Sequence, residues 1–310
     1  MTLTQLQYIL AVNKYKHFVT AAEKCFVTQP TLSMQIQKLE EELGLIIFDR
    51  TKQPIALTTE GKKIIEQAQK IMYEAEQMKE IISEQKGSLE GVLTIGIIPT
   101  LAPYLLPFFI TDFIKRYPKI ILKIEEVTTA NIIEKLKNDE LDAGILATPL
   151  NQSTLNEDPL FYEPFVAYLG KKHPLKSIKA LSEKDLKDVN VYLMQEGHCM
   201  RNQTAMLCNE QNNQSNFIYE SGSIETLKKM VDINGGMTFL PELSIYDIPK
   251  SKIDQVRYFR SPEPVREISI LTHRSFTKKR LLEALKKTIL ERIPSKYQSA
   301  KNKKIFPIIK

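Results

Sequence analysis

Apolar residues recur at helical spacing through the first part of the chain. Leu3, Leu6, Ile9 and Leu10 make a stripe with steps of three and one or four residues, which predicts a first helix. Phe18 to Cys25 reads as a second short helix, with Ala21 and Ala22 small enough for close packing. Val27-Thr28-Gln29-Pro30 turns the chain, and Pro30 suits the first turn of a helix, where its missing N–H would go unbonded anyway. The third helix, Thr31 to Leu43, carries Leu32, Ile36 and Leu39 on one face and Thr31, Ser33, Gln35 and Lys38 on the other. Two short helices, a tight turn and a polar outer face on the second predict a helix-turn-helix, whose second helix can enter a major groove. Phe48-Asp49-Arg50 and Ile55–Thr58 predict the two strands of a small wing.

From Thr59 to about Gln85 the pattern becomes one long helix. Ile64, Ala68, Ile71, Ala75, Met78 and Ile82 alternate at steps of four and three, the seam of a coiled coil, and predict a dimerisation arm. A helix packed on its own domain could carry the same stripe. The glycines of Lys86-Gly87-Ser88-Leu89-Glu90-Gly91 end it as a hinge would.

Beyond Val92, strand and helix patterns alternate. Strands are predicted at Leu93–Ile98, Ile120–Val127 and Ala143–Ala147, with helices at Tyr104–Arg116 and Asn131–Lys137 between them. Further strands follow near Phe165–Leu169, Val191–Met194, Phe217–Tyr219, Met237–Leu240 and Arg266–Thr272, with helices at Ile224–Ile233 and Lys278–Ile293. This order argues for parallel sheets covered by helices, as two α/β lobes with a cleft at the carboxyl ends of the strands. Thr100 and Thr129 stand at such ends, as cleft contacts or as ordinary helix caps.

Composition changes little in this picture. The chain has 310 residues, 43% hydrophobic and 26% charged, and no run near the ~20 apolar residues of a membrane span. The first residues have no basic leader pattern, so neither secretion nor a membrane is expected, and three cysteines point to a reducing cytoplasm. Of the net charge of +6, the excess lies at the end of the chain. From Phe276 to Lys310 eleven basic residues meet only Glu283 and Glu291, which reads as a solvated, partly disordered tail. Residues 1–62 are nearly balanced, seven basic against six acidic, which a plain three-helix bundle would also show. A few placed cations can nevertheless grip phosphates.

The candidate chemistry is in residues 193–210. Cys199 is flanked by Gly197, His198 and Arg201, and Cys208 follows on the predicted helix Met200–Gln211. A thiol at a helix start with a cation nearby is favoured as thiolate. Two small core hydrophobes would be the plainer reading. A metal site lacks a fourth ligand at any usual spacing, and a thiol peroxidase would leave the helix-turn-helix and the arm without a purpose. Cys25, on the second helix, reads as buried.

Taken together, Phe18-Val-Thr-Ala-Ala-Glu23, Thr28-Gln-Pro-Thr-Leu-Ser33, Leu39-Glu-Glu-Glu-Leu-Gly44, Phe48-Asp-Arg50 and Leu57-Thr-Thr-Glu-Gly61 make the chain resemble the LysR-type transcriptional regulators over nearly its whole length. Ile97-Ile-Pro-Thr-Leu-Ala-Pro-Tyr-Leu-Leu-Pro107, Gly197-His-Cys-Met-Arg201 with Cys208, and Ser223-Ile-Glu-Thr-Leu227 resemble the peroxide-sensing branch of that family. The resemblance implies an α/β fold: a winged helix-turn-helix (residues 1–58), a linker helix and hinge (59–90), and a two-lobed regulatory domain like the periplasmic binding proteins (91–300). Lobe I would take about 91–163 and 267–300, lobe II about 164–266, and 301–310 would be a basic tail.

It also implies that Cys199 is the peroxidatic thiol and Cys208 its resolving partner, with Thr100, Thr129, His198, Arg201, Asn202 and Arg266 around the peroxide. Asn202 departs from the branch, which usually has an acidic residue there. The expected partners are double-stranded operator DNA, hydrogen peroxide, RNA polymerase and further copies of the chain as a dimer of dimers. No cofactor, metal or enzyme activity is expected. Thr28, Gln29, Pro30, Thr31, Ser33, Gln35 and Lys38 are the candidate base-reading residues, with Arg50 on phosphate. The alternative is a regulator responding to a small anionic metabolite between the lobes.

Overall fold

A computed structural model of the chain describes residues 1–85, 89–150, 152–186, 189, 191–208, 220–274 and 276–308. They form two units, Met1–Ser88 with Ser275–Thr277, and Leu89–Arg274 with Lys278–Lys310.

In the first unit the expected head forms as α1 (Leu3–Tyr15), α2 (Phe18–Lys24), α3 (Gln29–Leu43), β1 (Phe48–Asp49), β2 (Ala56–Leu57) and α4 (Thr59–Gln85). Thr2 opens α1 with a capping box: its hydroxyl accepts the Gln5 N–H at 3.2 Å, and the Gln5 side chain accepts the Thr2 N–H at 2.9 Å. α3 starts two residues before the expected Thr31 because the Thr28 side chain caps it and Pro30 fits its first turn. It ends at Gly44, whose φ of 67° is the left-handed conformation that a helix stop favours. Leu6, Ile9, Val12, Ala21, Leu32, Ile36 and Leu39 fill the core beneath. The Glu40 carboxylate accepts the Ile47 and Phe48 N–H groups at 2.7 and 3.2 Å, so α3 fixes the start of the wing.

α4 forms over the span expected of the arm. Ile65 and Ala68 are buried in the head core, and Ile64 and Ile71 pack against it. The first half of the seam therefore serves its own head. Ala75 and the 67% exposed Met78 lie beyond that core, and the Ile82 side chain is outside the described residues.

The second unit runs β3 (Gly91–Ile97), α5 (Ala102–Arg116), β4 (Ile120–Glu126), α6 (Thr129–Lys137), β5 (Ala143–Thr148), β6 (Leu155–Leu169), β7 (Ala180–Leu181) and β8 (Val191–Met194). It continues with α7 (Cys199–Cys208), β9 (Glu220–Ser221), α8 (Ile224–Asn234), β10 (Met237–Pro241), β11 (Val256–Phe259), β12 (Glu263–His273), α9 (Lys279–Arg292) and β13 (Lys303–Ile305). The strand order is β4-β3-β5-β12-β6-β10-β8-β9. β3, β4 and β5 are parallel, as are β8, β9 and β10. Between these halves run β6 and β12, antiparallel to each other and long enough to belong to both lobes. The expected lobe boundaries at 163 and 266 fall inside these two strands, on residues that pair directly across them: Glu163 and Arg266. The strand expected at Phe217–Tyr219 lies outside the described residues.

Gly144 shows how closely α6 is laid on the sheet. A Cβ there would stand 2.3 Å from an Ile132 methyl, so only glycine lets the helix sit at this depth and carry Thr129 to the strand ends.

The basic end of the chain is not the solvated tail its charge suggests. β13 pairs in parallel with Glu263–Val265 of β12, and the Phe306 side chain is only 3% exposed. The cations stay at the surface while Phe306 is buried, and backbone pairing with β12 accounts for the strand.

Candidate functional site

Gly197, at φ +91°, sits in a left-handed conformation that a side chain would strain, and the chain turns there from β8 into α7. Cys199 is the first residue of that helix, at the helix start expected from the sequence. Its Sγ lies 2.8 Å from the Thr129 hydroxyl, at the start of α6 on the other lobe. Two helix N-termini thus meet at the sulfur, and the partial positive charge of both favours a thiolate there.

The expected pocket residues come together through a second link. Arg266 is 1% exposed, and its Nη1 donates to the Thr100 hydroxyl at 2.9 Å and its Nη2 to the Thr100 carbonyl at 3.1 Å. Its other donors meet Glu163 at 2.7 and 2.8 Å, and the remaining Glu163 oxygen accepts the Leu243 N–H at 2.8 Å. Glu163 is fully buried and was missed by the sequence reading; a carboxylate inside the apolar run Phe161–Leu169 was its only signal. The guanidinium is thus locked in one orientation, with all its charge inside the protein.

Burial pushes the Cys199 thiol up from its ordinary value, while the Thr129 hydroxyl and the Arg266 charge pull it back down. Arg266 is thus a cation that acts on the sulfur, and the Arg201 Nη1 donates to the Met194 carbonyl at 3.3 Å and ties α7 back to β8. His198 is half-buried, and burial pushes its pKa down, which favours the neutral ring. Asn202 lies exposed on the first turn of α7. Cys208 ends the same helix, and its side chain is outside the described residues. Cys25 is half-buried against the head core, and burial raises its thiol also.

In the head, Thr28, Gln29, Pro30, Thr31 and Lys38 are exposed, and Ser33 and Gln35 are half-buried. Gln5 of α1 donates to the Gln35 side chain at 3.3 Å. Arg50, expected on phosphate, pairs with Glu40 at 3.0 Å and stacks 5.2 Å over the Phe18 ring.

Two family models cover this chain. "Bacterial regulatory helix-turn-helix protein, lysR family" matches residues 3–62, and "LysR substrate binding domain" matches residues 86–294. The chain belongs to the LysR family of transcriptional regulators. Among LysR relatives, the hydrogen peroxide-inducible genes activator of Haemophilus influenzae is 36% identical over 87% of this chain and 90% of its own length. Full-length OxyR of Pseudomonas aeruginosa, solved with a cysteine replaced by aspartate, superposes at a TM-score of 0.74 with 36% identity, over 94% of this chain and 95% of that one. A mutant OxyR of Corynebacterium glutamicum, solved with hydrogen peroxide bound, gives 0.63 and 27% over 94% and 92%.

This LysR regulator also has a cavity of about 280 Å³ between its lobes. Glu126, Glu225 and Asp247 line it, with Thr100, Tyr104 and Ser223. Lys228, a nearby cation, is already paired with Glu225 at 2.6 Å and Asp247 at 3.7 Å, as Arg266 behind Thr100 is with Glu163. Such a wall repels an anion, which counts against the anionic metabolite. Among the described residues no three His, Cys, Asp or Glu side chains are grouped to hold a metal, and no helix is long and apolar enough to cross a membrane.

Proposed function

We propose that this regulator senses hydrogen peroxide through a reversible Cys199–Cys208 disulfide and controls oxidative-stress genes from operator DNA bound by α3. What supports the reading is the setting of Cys199: a helix-start thiol 2.8 Å from the Thr129 hydroxyl and in the field of the buried Arg266, with the second cysteine at the far end of the same helix. The OxyR relatives point the same way.

The thiolate attacks one peroxide oxygen, the O–O bond breaks, and hydroxide leaves. Cys199 becomes a sulfenic acid, oxidised by two electrons as the peroxide is reduced, and the proton first lost from the thiol turns the hydroxide to water. The Cys208 thiol then attacks the sulfenic sulfur, forming the S–S bond and releasing a second water. Asn202 can hydrogen-bond but cannot supply a proton as a carboxylic acid could. The leaving hydroxide therefore takes its proton from the thiol or from solvent.

The helix stands in the way of the second step. The two Cα atoms are separated by roughly 13 Å of helix axis, whereas a disulfide accepts about 4.4–6.8 Å. α7 must unravel before the bond can close, and one covalent bond then selects between two states of the lobes. Those states re-aim the DNA-reading heads of an oligomer joined through the exposed part of α4, a dimer of dimers in this reading, with RNA polymerase as the further partner in the cytoplasm. Because the sulfenic acid is consumed by the chain's own thiol, the protein acts as a switch and not as an enzyme.

Mass spectrometry after one equivalent of peroxide tests the proposal. A Cys199–Cys208 crosslink in the wild type, and its loss in Cys199→Ser and Cys208→Ser, is expected. Unreacted thiols in the wild type would overturn it.

A further inference from the structure

Gln203 lies one turn beyond Cys199 on α7 and is completely buried. Its Nε2 donates to the Phe306 carbonyl at 2.6 Å, 103 residues away in sequence. Its Oε1 has no partner among the described residues, so this one bond is what holds the amide. Phe306 is fastened in turn: its N–H donates to the Val265 carbonyl at 3.0 Å, and Lys303–Ile305 pair with Glu263–Val265. The next residue of that strand is Arg266. The segment is pinned outside α7 as well, by Lys304 on Glu183 at 2.6 Å and Lys303 on the Lys296 carbonyl at 2.6 Å. Residues 303–306 are thus a fixed bracket on the strand that carries Arg266, and the Gln203 amide ties α7 to it.

We propose that Gln203, through the Phe306 carbonyl, is a positioning residue that sets how readily the redox helix opens. The inference rests on the peroxide-sensing reading above and adds a control on its second step. Gln203 touches neither the sulfur nor the peroxide. It holds the second turn of α7 in place, and that turn is what separates Cys199 from Cys208. While the amide is bonded, a sulfenic acid on Cys199 is out of reach of Cys208. When the bond breaks, both the buried amide and the Phe306 carbonyl lose their partner, so the opening cost is local and the bracket stays on its strand.

Two steps must therefore respond differently to Gln203→Ala. The first, transfer of a peroxide oxygen to Cys199, is read by trapping the sulfenic acid with a dione in a Cys208→Ser background. Its rate is unchanged. The second, attack of the Cys208 thiol with release of water, is read from the rate of disulfide formation, and it rises about five-fold, one net hydrogen bond's worth. Phe306→Ala, which loosens the bracket and leaves α7 untouched, gives the same pattern. Amide exchange over α7 in the reduced full-length variants rises by a similar factor without any peroxide. Equal exchange in wild type and both variants, or an equal change in both chemical steps, would overturn the proposal. A wild type that forms no disulfide would instead sink the sensing reading, while the exchange comparison would still decide whether the bracket holds the helix.

Discussion

Two helices of nearly equal length lie on the second lobe and are held there by different means. α8 has eleven residues and buries Ile224, Leu227 and Val231, the last two completely. α7 has ten residues, and its buried stripe runs Met200, Gln203, Thr204, Leu207. The spacing is equally helical, but the apolar groups stand only at the two ends, with an amide and a hydroxyl between them. The Thr204 hydroxyl donates to the Met200 carbonyl of its own helix at 2.8 Å. Apolar burial, at about 25 cal/mol per Å², is non-directional and survives small shifts. The polar contacts that fasten α7 are directional, and the thiol at its start is one of them. α8 is therefore a fixture, while the hold on α7 depends in good part on the directional contacts of Cys199, Arg201 and Gln203.

The largest effect should come from removing the cation next to the thiol. Arg266→Ala leaves the Glu163 carboxylate buried without its partner, and urea unfolding should show a loss of about 3–5 kcal/mol. Alkylation of Cys199 in the variant should move to higher pH, because the positive charge that favours the thiolate is gone. Next in size, Leu227→Ala cuts into the fixture. It should cost about 2–5 kcal/mol in the same assay, with the rate of peroxide-induced disulfide formation unchanged in the folded protein. If that rate rose as it does when α7 is loosened, the distinction between the two helices would fail.

The smallest effect concerns the hydroxyl on the sulfur. Thr129→Val should cost about 1 kcal/mol and push the thiol further up, so that iodoacetamide reacts more slowly with Cys199 at pH 7. The sign follows from burial, which already holds the thiol above its ordinary 9.0. The folded protein keeps that proton more tightly than the unfolded chain does. The stability it contributes is full below pH 9 and is lost as the pH rises through the folded value. A titration of reduced protein between pH 7 and 11 should therefore show stability falling, more so in Thr129→Val.

Much of this was legible before the fold. The stripes of α1, α3 and α4 and the alternation from β3 to β5 follow from apolar spacing, and Cys199 at a helix start follows from Gly197 and the residues after it. What stayed hidden was non-local. β6 was read as Phe165–Leu169 because Asn156, Glu157, Asp158, Pro159 and Pro164 break any strand pattern. Pro159 falls at a register shift, opposite Ser269 and next to the break between Ile268 and Ser269, while the others pair regularly with β12. Glu163 and Arg266 meet only because these two strands cross both lobes, so neither residue advertises the other. The last residues were read by their charge, and nothing in Lys303-Lys-Ile-Phe306 shows that β12 has an edge to offer. Ile64 and Ile71 fit a coiled-coil seam and a head contact equally well, and both are partly buried against the head core.

The central claim is that α7 opens on oxidation while α8 does not. Hydrogen exchange on the full-length protein, reduced and then treated with one equivalent of peroxide, tests it directly. Protection over residues 199–208 should be lost in the oxidised form while residues 224–234 keep theirs. Equal protection of residues 199–208 in both forms, with the disulfide verified by mass, would contradict it.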